Sequence, residues 1–245
     1  MRVAIMQPYF CPYLGYFQLM HSADRFVLLD DVNFIVRGWI NRNQILLEGR
    51  PHLFSLPVAN ASQNTRICDL QLSESIDWRS RLLKTVKQAY SRAPQFGAAA
   101  HFIESVIKFN DTRLVAYVAN SVQLASTRLE LRCEILRSSE LALKPSLAGQ
   151  HRIAALCKHL GATEYINPIG GRNLYDAKLF ANAGIKLSFL EASITPYQQF
   201  GKTFVPGLSI LDAMAFNTPE IIKARLLNFN LVQPTIAMDD GSCQS

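Results

Sequence analysis

With 245 residues, the chain can bury a full core, and one large domain or a domain carrying a helical insertion fits this length better than two independent domains. Its 49% hydrophobic and 18% charged content excludes a disordered or fibrous chain. The net charge of +6 would draw anions, but the basic residues form no run and no aromatic-basic alternation; this argues against nucleic acid and leaves a phosphorylated small molecule open.

Residues 2–6 read as a buried strand, because Val3, Ala4, Ile5 and Met6 are continuously apolar and the run stops at Gln7-Pro8. A loop rich in rings follows, with Tyr9, Phe10 and Tyr13. Leu14, Phe17, Leu19 and Met20 suit a short helix over 14–21, and residues 25–29 form a second strand ending in Asp30-Asp31. The pattern then turns to short β-prone pieces, with Glu48-Gly49-Arg50-Pro51 as the turn of a hairpin joining 43–47 to 52–56. Residues 68–72 are a candidate for another strand.

Helical spacing recurs over 77–92, 96–109 and 112–129, with Asp77 and Asp111 as N-caps and Pro94 as a break. The chain then returns to α/β alternation. Strands are expected at 133–136, 164–169 and 186–191, and helices at 150–159, 173–182 and from near Leu208. Gly161 and Gly184 close the first two of these helices. The order of elements predicts an α/β fold: a Rossmann-like, mainly parallel sheet with an inserted β-hairpin region and a helical block. Residues 1–76 form the N-terminal part, 77–130 the helical block and 131–233 the part completing the same domain, followed by a flexible tail at 234–245.

No run approaches the roughly 18 apolar residues of a membrane span, and the N-terminus has no secretion signal, so no membrane insertion is expected. The five cysteines are scattered and lack a CxxC pair, which points to a reducing cytoplasm with neither disulfides nor a metal site.

Several groups of residues could carry chemistry. The loop holding Gln7, Tyr9, Tyr13 and Tyr16 lies between the first strand and first helix, where open α/β sheets gather ligands. Any single ring there reads first as core, whereas the Gln7 amide needs partners that a ligand could supply. Asp30 and Asp31 could act as a base, although neighbouring strand residues face opposite ways, and a capping or salt-bridged Asp beside a solvated one explains them equally well. Arg37, Trp39, Asn41 and Arg42 combine forked donors, an amide and a flat ring, suited to phosphate and a base or sugar. Gly170-Gly171 joins a strand to a helix and could let backbone N–H groups approach an anion, although a tight connection explains it more simply. The segment 204–212 suits helix initiation better than a serine nucleophile, and Cys11 reads as a small apolar filler.

Together, Met6-Gln7-Pro8-Tyr9-Phe10, Pro12-Tyr13-Leu14-Gly15-Tyr16-Phe17, Asp30-Asp31-Val32, Arg37-Gly38-Trp39-Ile40-Asn41-Arg42-Asn43, and residues 158–165 and 208–212 resemble the WbqC-like family over nearly the whole chain. Cys11 stands where that family usually carries an aromatic residue, which argues against it as a nucleophile. The resemblance implies a role in surface-polysaccharide (O-antigen) sugar synthesis. The expected reaction is transfer of an acyl or aminoacyl group from a coenzyme A or acyl-carrier-protein thioester to the amine of a nucleotide-linked amino sugar, with no tightly bound cofactor. Asp30 or Asp31 would be the base, Gln7, Asn41 or backbone N–H groups would stabilise the oxyanion, and Arg37 and Arg42 would contact phosphate. Tyr13-Leu14-Gly15-Tyr16 also sits where nucleotidyltransferases of the HIGH superfamily carry His-x-Gly-His, so nucleotidyl transfer or adenylation is the second expectation. A non-catalytic scaffold of the polysaccharide machinery is the third.

Overall fold

Alternation across the first strand sets the architecture. In β1 (Arg2–Met6), Val3 and Ile5 pack on one face of the sheet and Ala4 on the other, so both faces must be covered. The computed structural model describes residues 1–143 and 147–234. The flexible tail expected at 234–245 lies outside these residues from residue 235 onward.

Helix α1 (Leu14–His21) crosses from β1 to β2 (Arg25–Leu28), which pairs parallel to it. The hairpin β3 (Arg42–Leu47) and β4 (Arg50–Ser55) stands apart as its own two-stranded sheet. Three helices follow: α2 (Trp78–Tyr90), α3 (Phe96–Ile107) and α4 (Leu114–Arg128). Then come β5 (Glu134–Arg137), α5 (Gly149–His159), β6 (Glu164–Pro168), α6 (Ala177–Asn182), β7 (Lys186–Ala192), α7 (Ile210–Phe216), α8 (Pro219–Leu226) and β8 (Phe229–Val232). The main sheet runs β5-β2-β1-β6-β7-β8, parallel except for β8. The fold is therefore α/β with a mainly parallel sheet. The α1, α7 and α8 helices, the hairpin and the helical block share the larger core, while α5 and α6 cover the opposite face.

Several local expectations needed correction. Residues 67–69 form a single 3-10 turn rather than a strand, with only isolated bridges at Gln71 and Leu72. The helix expected over 173–182 begins at Ala177, because a 3-10 segment at Ile169–Leu174 precedes it and the Asp176 carboxylate caps the later start by accepting from Lys178 N–H. Asp77 caps α2 as expected by accepting from Ser80 N–H, but Asp111 lies two residues before the Arg113 cap position of α4 and bonds to Arg113 instead. Helix α8, started by Pro219, and the edge strand β8 were not anticipated.

The hairpin turn is shorter than expected. Leu47 pairs with Arg50, leaving Glu48 (φ 51) and Gly49 (φ 75) as a two-residue loop with both residues left-handed. Glutamate is poorly suited to that conformation and asparagine well suited. Glu48→Asn is accordingly expected to stabilise the fold by about 0.5–1 kcal/mol, seen as a melting-temperature rise of about 1–4 °C.

Candidate functional site

The chain leaves β1 towards β2 on one side, and β6 lies on the other, so the connections reverse direction between β1 and β6. Ligands of open α/β sheets sit outside the carboxyl ends of the strands at such a reversal. The loops carrying Gln7 and Gly170-Gly171 leave these two neighbouring parallel strands on the same edge.

The loop after β1 is held from several directions. Cys11 has φ 43, a left-handed conformation that a non-glycine residue adopts only when its surroundings impose it. Those surroundings are visible: Phe10 N–H donates to Ile40 O, Cys11 N–H donates to Ser121 Oγ, and Asn43 Nδ2 donates to Phe10 O and Cys11 O. Ser209 Oγ, while capping α7, also donates to Cys11 O. The Cys11 thiol is buried and its pKa is pushed up by that burial, so it is a filler and not a thiolate.

This bracing shapes a cavity of about 190 Å³ lined by Tyr9, Tyr13, Trp39, Asn43 and Gly207. Three expected site residues, Tyr9, Tyr13 and Trp39, thus meet at one place, and Asn43 and Gly207 complete it. Burial raises the phenol pKa values of Tyr9 and Tyr13, so both are neutral hydrogen-bonding groups at physiological pH. Gly15 sets the pose of Tyr13, since a Cβ there would collide with the Tyr13 ring. Gly15→Ala should keep or slightly raise helix propensity yet expel that ring. The expected result is a melting temperature changed by a few degrees at most and a clearly weakened ligand affinity, read by calorimetry.

The remaining expected residues do not line this cavity. Tyr16 is fully buried and donates to Gln7 O, which fixes the end of β1. The Gln7 side chain has no hydrogen bond among the described residues, which leaves its amide available. Arg37 (φ 64) occupies a turn whose carbonyls at Arg37 and Gly38 accept from Arg42, and the Arg42 guanidinium also lies 5.8 Å from the Trp39 ring centroid. Arg42 therefore shapes the Trp39 turn. Asn41 Nδ2 donates to Leu56 O and ties the loop to the hairpin. Gly171 has no room for a Cβ against Asn167 Nδ2, a packing reason for a glycine, while Gly170 faces open space. Both lie in the 3-10 segment rather than at a helix N-terminus.

Asp30 and Asp31 form a bracket. Asp30 is fully buried and accepts from Ser139 N–H (2.8 Å) and Ser139 Oγ (2.7 Å). Ser138 Oγ lies 3.1 Å from Asp30 Oδ1 and 2.6 Å from Asp31 Oδ1, so one hydroxyl proton serves both carboxylates. Asp31 also pairs with Arg152 of α5, both side chains being under a tenth exposed. These contacts tie the tip of β2 to β5 and α5.

A second buried carboxylate, Asp212, accepts from Tyr90 Oη (2.9 Å), Tyr197 Oη (2.6 Å) and Gln199 Nε2 (2.6 Å). Burial raises its pKa against the opposing pull of these donors. Tyr90 Oη accepts from Leu46 N–H of the hairpin, so one carboxylate links α7, α2, β3 and the loop that carries Gly207. Its place in the 208–212 segment was noticed from sequence, but its partners, up to 122 residues away, were not.

Residues 7–224 match the WbqC-like protein family. The chain belongs to this family. The chain is also 25% identical over 215 residues to a Mycobacterium tuberculosis (strain ATCC 25618 / H37Rv) protein named "Uncharacterized protein Rv1507c", a match covering 87% of this chain and 92% of that protein. No solved structure matches the chain. Among the described residues of this WbqC-like protein, no helix is long and apolar enough to cross a membrane, and no three His, Cys, Asp or Glu side chains converge as a metal site.

Proposed function

We propose that this WbqC-like protein is an enzyme of surface-polysaccharide sugar synthesis that transfers an acyl or aminoacyl group from a thioester to the amine of a nucleotide-linked amino sugar. The observation carrying this reading is the ring-lined cavity of Tyr9, Tyr13, Trp39 and Asn43 at the carboxyl end of β1. Flat aromatic faces suit a sugar or base, and one amide among them suits orientation by hydrogen bonds.

In the reaction the neutral amine attacks the thioester carbonyl, a C–N bond forms, the C–S bond breaks, and the leaving thiolate takes up the proton lost by the amine. A thioester is already activated and a sugar amine is partly neutral near pH 7, so holding the two in contact supplies much of the rate. The oxygens of Asp30 and Asp31 are engaged in the bracket, so positioning rather than a dedicated carboxylate base fits this site. Gln7 would donate to the developing oxyanion, and Arg37, two residues before Trp39 and without an ion pair among the described residues, would meet phosphate. Nucleotidyl transfer fits less well, because the Tyr13 ring covers Gly15 at the start of α1, where a phosphate would approach the helix N-terminus.

The test is mass spectrometry of nucleotide amino sugars incubated with the protein and acyl thioesters. An acyl mass added to the sugar is expected, with kcat/KM lowered about tenfold in Trp39→Ala, equivalent to about 1.4 kcal/mol and within the range of one stacking contact. No acyl product with any donor, or turnover of nucleoside triphosphate instead, would overturn the reading.

A further inference from the structure

A larger cavity, about 310 Å³, opens between α4 and the carboxyl ends of β2 and β5, and none of the roles above uses it. Leu28, Phe109 and Ile135 give it an apolar floor, and Arg113, Asn120 and Arg137 stand in its wall. Asn120 Nδ2 is shut off from solvent and has no hydrogen-bond partner in the structure. A buried amide without an acceptor is costly, so this donor is suited to an acceptor that arrives with a ligand.

The two arginines retain donors as well. Arg113 spends Nε and Nη2 on Asp111, leaving Nη1 unbonded. Arg137 spends Nη2 on Glu140, leaving Nε and Nη1. Both carboxylates of the cavity are thereby matched, while the two guanidinium groups and Asn120 Nδ2 still offer donors. Donors on three side chains above an apolar floor select an oxyanion attached to an aliphatic body.

We propose that this cavity is a second ligand site, holding the 4′-phosphate group of the pantetheine arm that carries the thioester donor. The assignment of the ligand as donor rests on the transfer reading above; the phosphate preference rests on the cavity itself. The floor takes the aliphatic part of the arm, and Arg113, Arg137 and Asn120 take the phosphate. Helix α4 links the two cavities, because Asn120 lies in this one while the neighbouring Ser121 holds Cys11 of the ring-lined loop.

Calorimetric titration with 4′-phosphopantetheine, without any sugar, tests the site. Wild-type protein is expected to bind it, and pantetheine lacking the phosphate at least tenfold more weakly. Arg137→Met and Asn120→Leu, each checked for an unchanged melting transition, are expected to lose at least tenfold in affinity, whereas Tyr13→Ala in the other cavity should bind as wild type. Equal binding of pantetheine, no binding of the phosphorylated arm, or unchanged affinity in both cavity variants would overturn the site. Binding here without any acyl product would leave the site standing and remove the transfer reading. Acyl transfer with unaltered donor KM in Arg137→Met would do the reverse.

Discussion

Asp212→Ala is expected to destabilise the fold by about 3–5 kcal/mol, because Tyr90 and Tyr197 would each keep a buried hydroxyl with no acceptor, at about 1–3 kcal/mol apiece, and Gln199 Nε2 would keep only Val205 O, partly offset by no longer burying a carboxyl group. For a chain of this size that corresponds to a melting-temperature drop of roughly 10 °C. The loop over residues 193–209 should come loose first, since Tyr197 and Gln199 are its ties to α7. Limited proteolysis should therefore cut there before anywhere in the sheet. The pH dependence carries its own sign. The folded pKa of Asp212 is raised by burial, so between the ordinary carboxylate value and the raised one the folded state binds more protons than the unfolded state. Stability contributed by this group is thus lost as pH rises through that window and stays level above it. Asp212→Asn should flatten that slope in melting curves; an unchanged slope would show that another group produces it.

Arg152→Met is the second large effect, with a loss of about 3–5 kcal/mol, because it strands Asp31 in a site where the carboxylate is 7% exposed. The remaining donor, Ser138 Oγ, is shared with Asp30 and cannot compensate. The double variant Arg152→Met with Asp31→Leu should recover part of the loss, since an apolar pair needs no desolvated charge. Denaturant melts of the single and double variants decide whether these residues hold the fold. Should Asp31→Asn unfold like wild type and yet abolish acyl transfer, Asp31 would be a base and the bracket interpretation would fall.

What could be read from the residues was whatever depends on near neighbours. The apolar run in β1 and the spacing in α1 gave those elements their limits, and the Asp77 cap gave α2 its start, to within a residue. Residues 67–69 and 169–174 misled because their β-prone or helical composition was overridden by 3-10 turns that pack against other elements. Strand β8 is four residues long, too short for a periodic signal, and is a strand only because β7 offers an edge. At the site, the ring-rich loop was visible from its place after β1. The bracket at Asp30-Asp31 was not, because Ser138, Ser139 and Arg152 lie 107 to 121 residues away and only the folded sheet brings them close. Asn43 shows the same limit: its amide supports the loop across 32 and 33 residues, and no spacing rule announces that.

The proposed acceptor pocket is the cavity of Tyr9, Tyr13 and Trp39, and calorimetric titration of a nucleotide-linked amino sugar into wild type, Tyr13→Ala and Trp39→Ala tests that proposal most directly. Binding by wild type and a drop of about tenfold or more in each variant, with melting temperatures preserved, is the predicted result. Equal affinity in all three proteins would mean that the sugar nucleotide binds elsewhere.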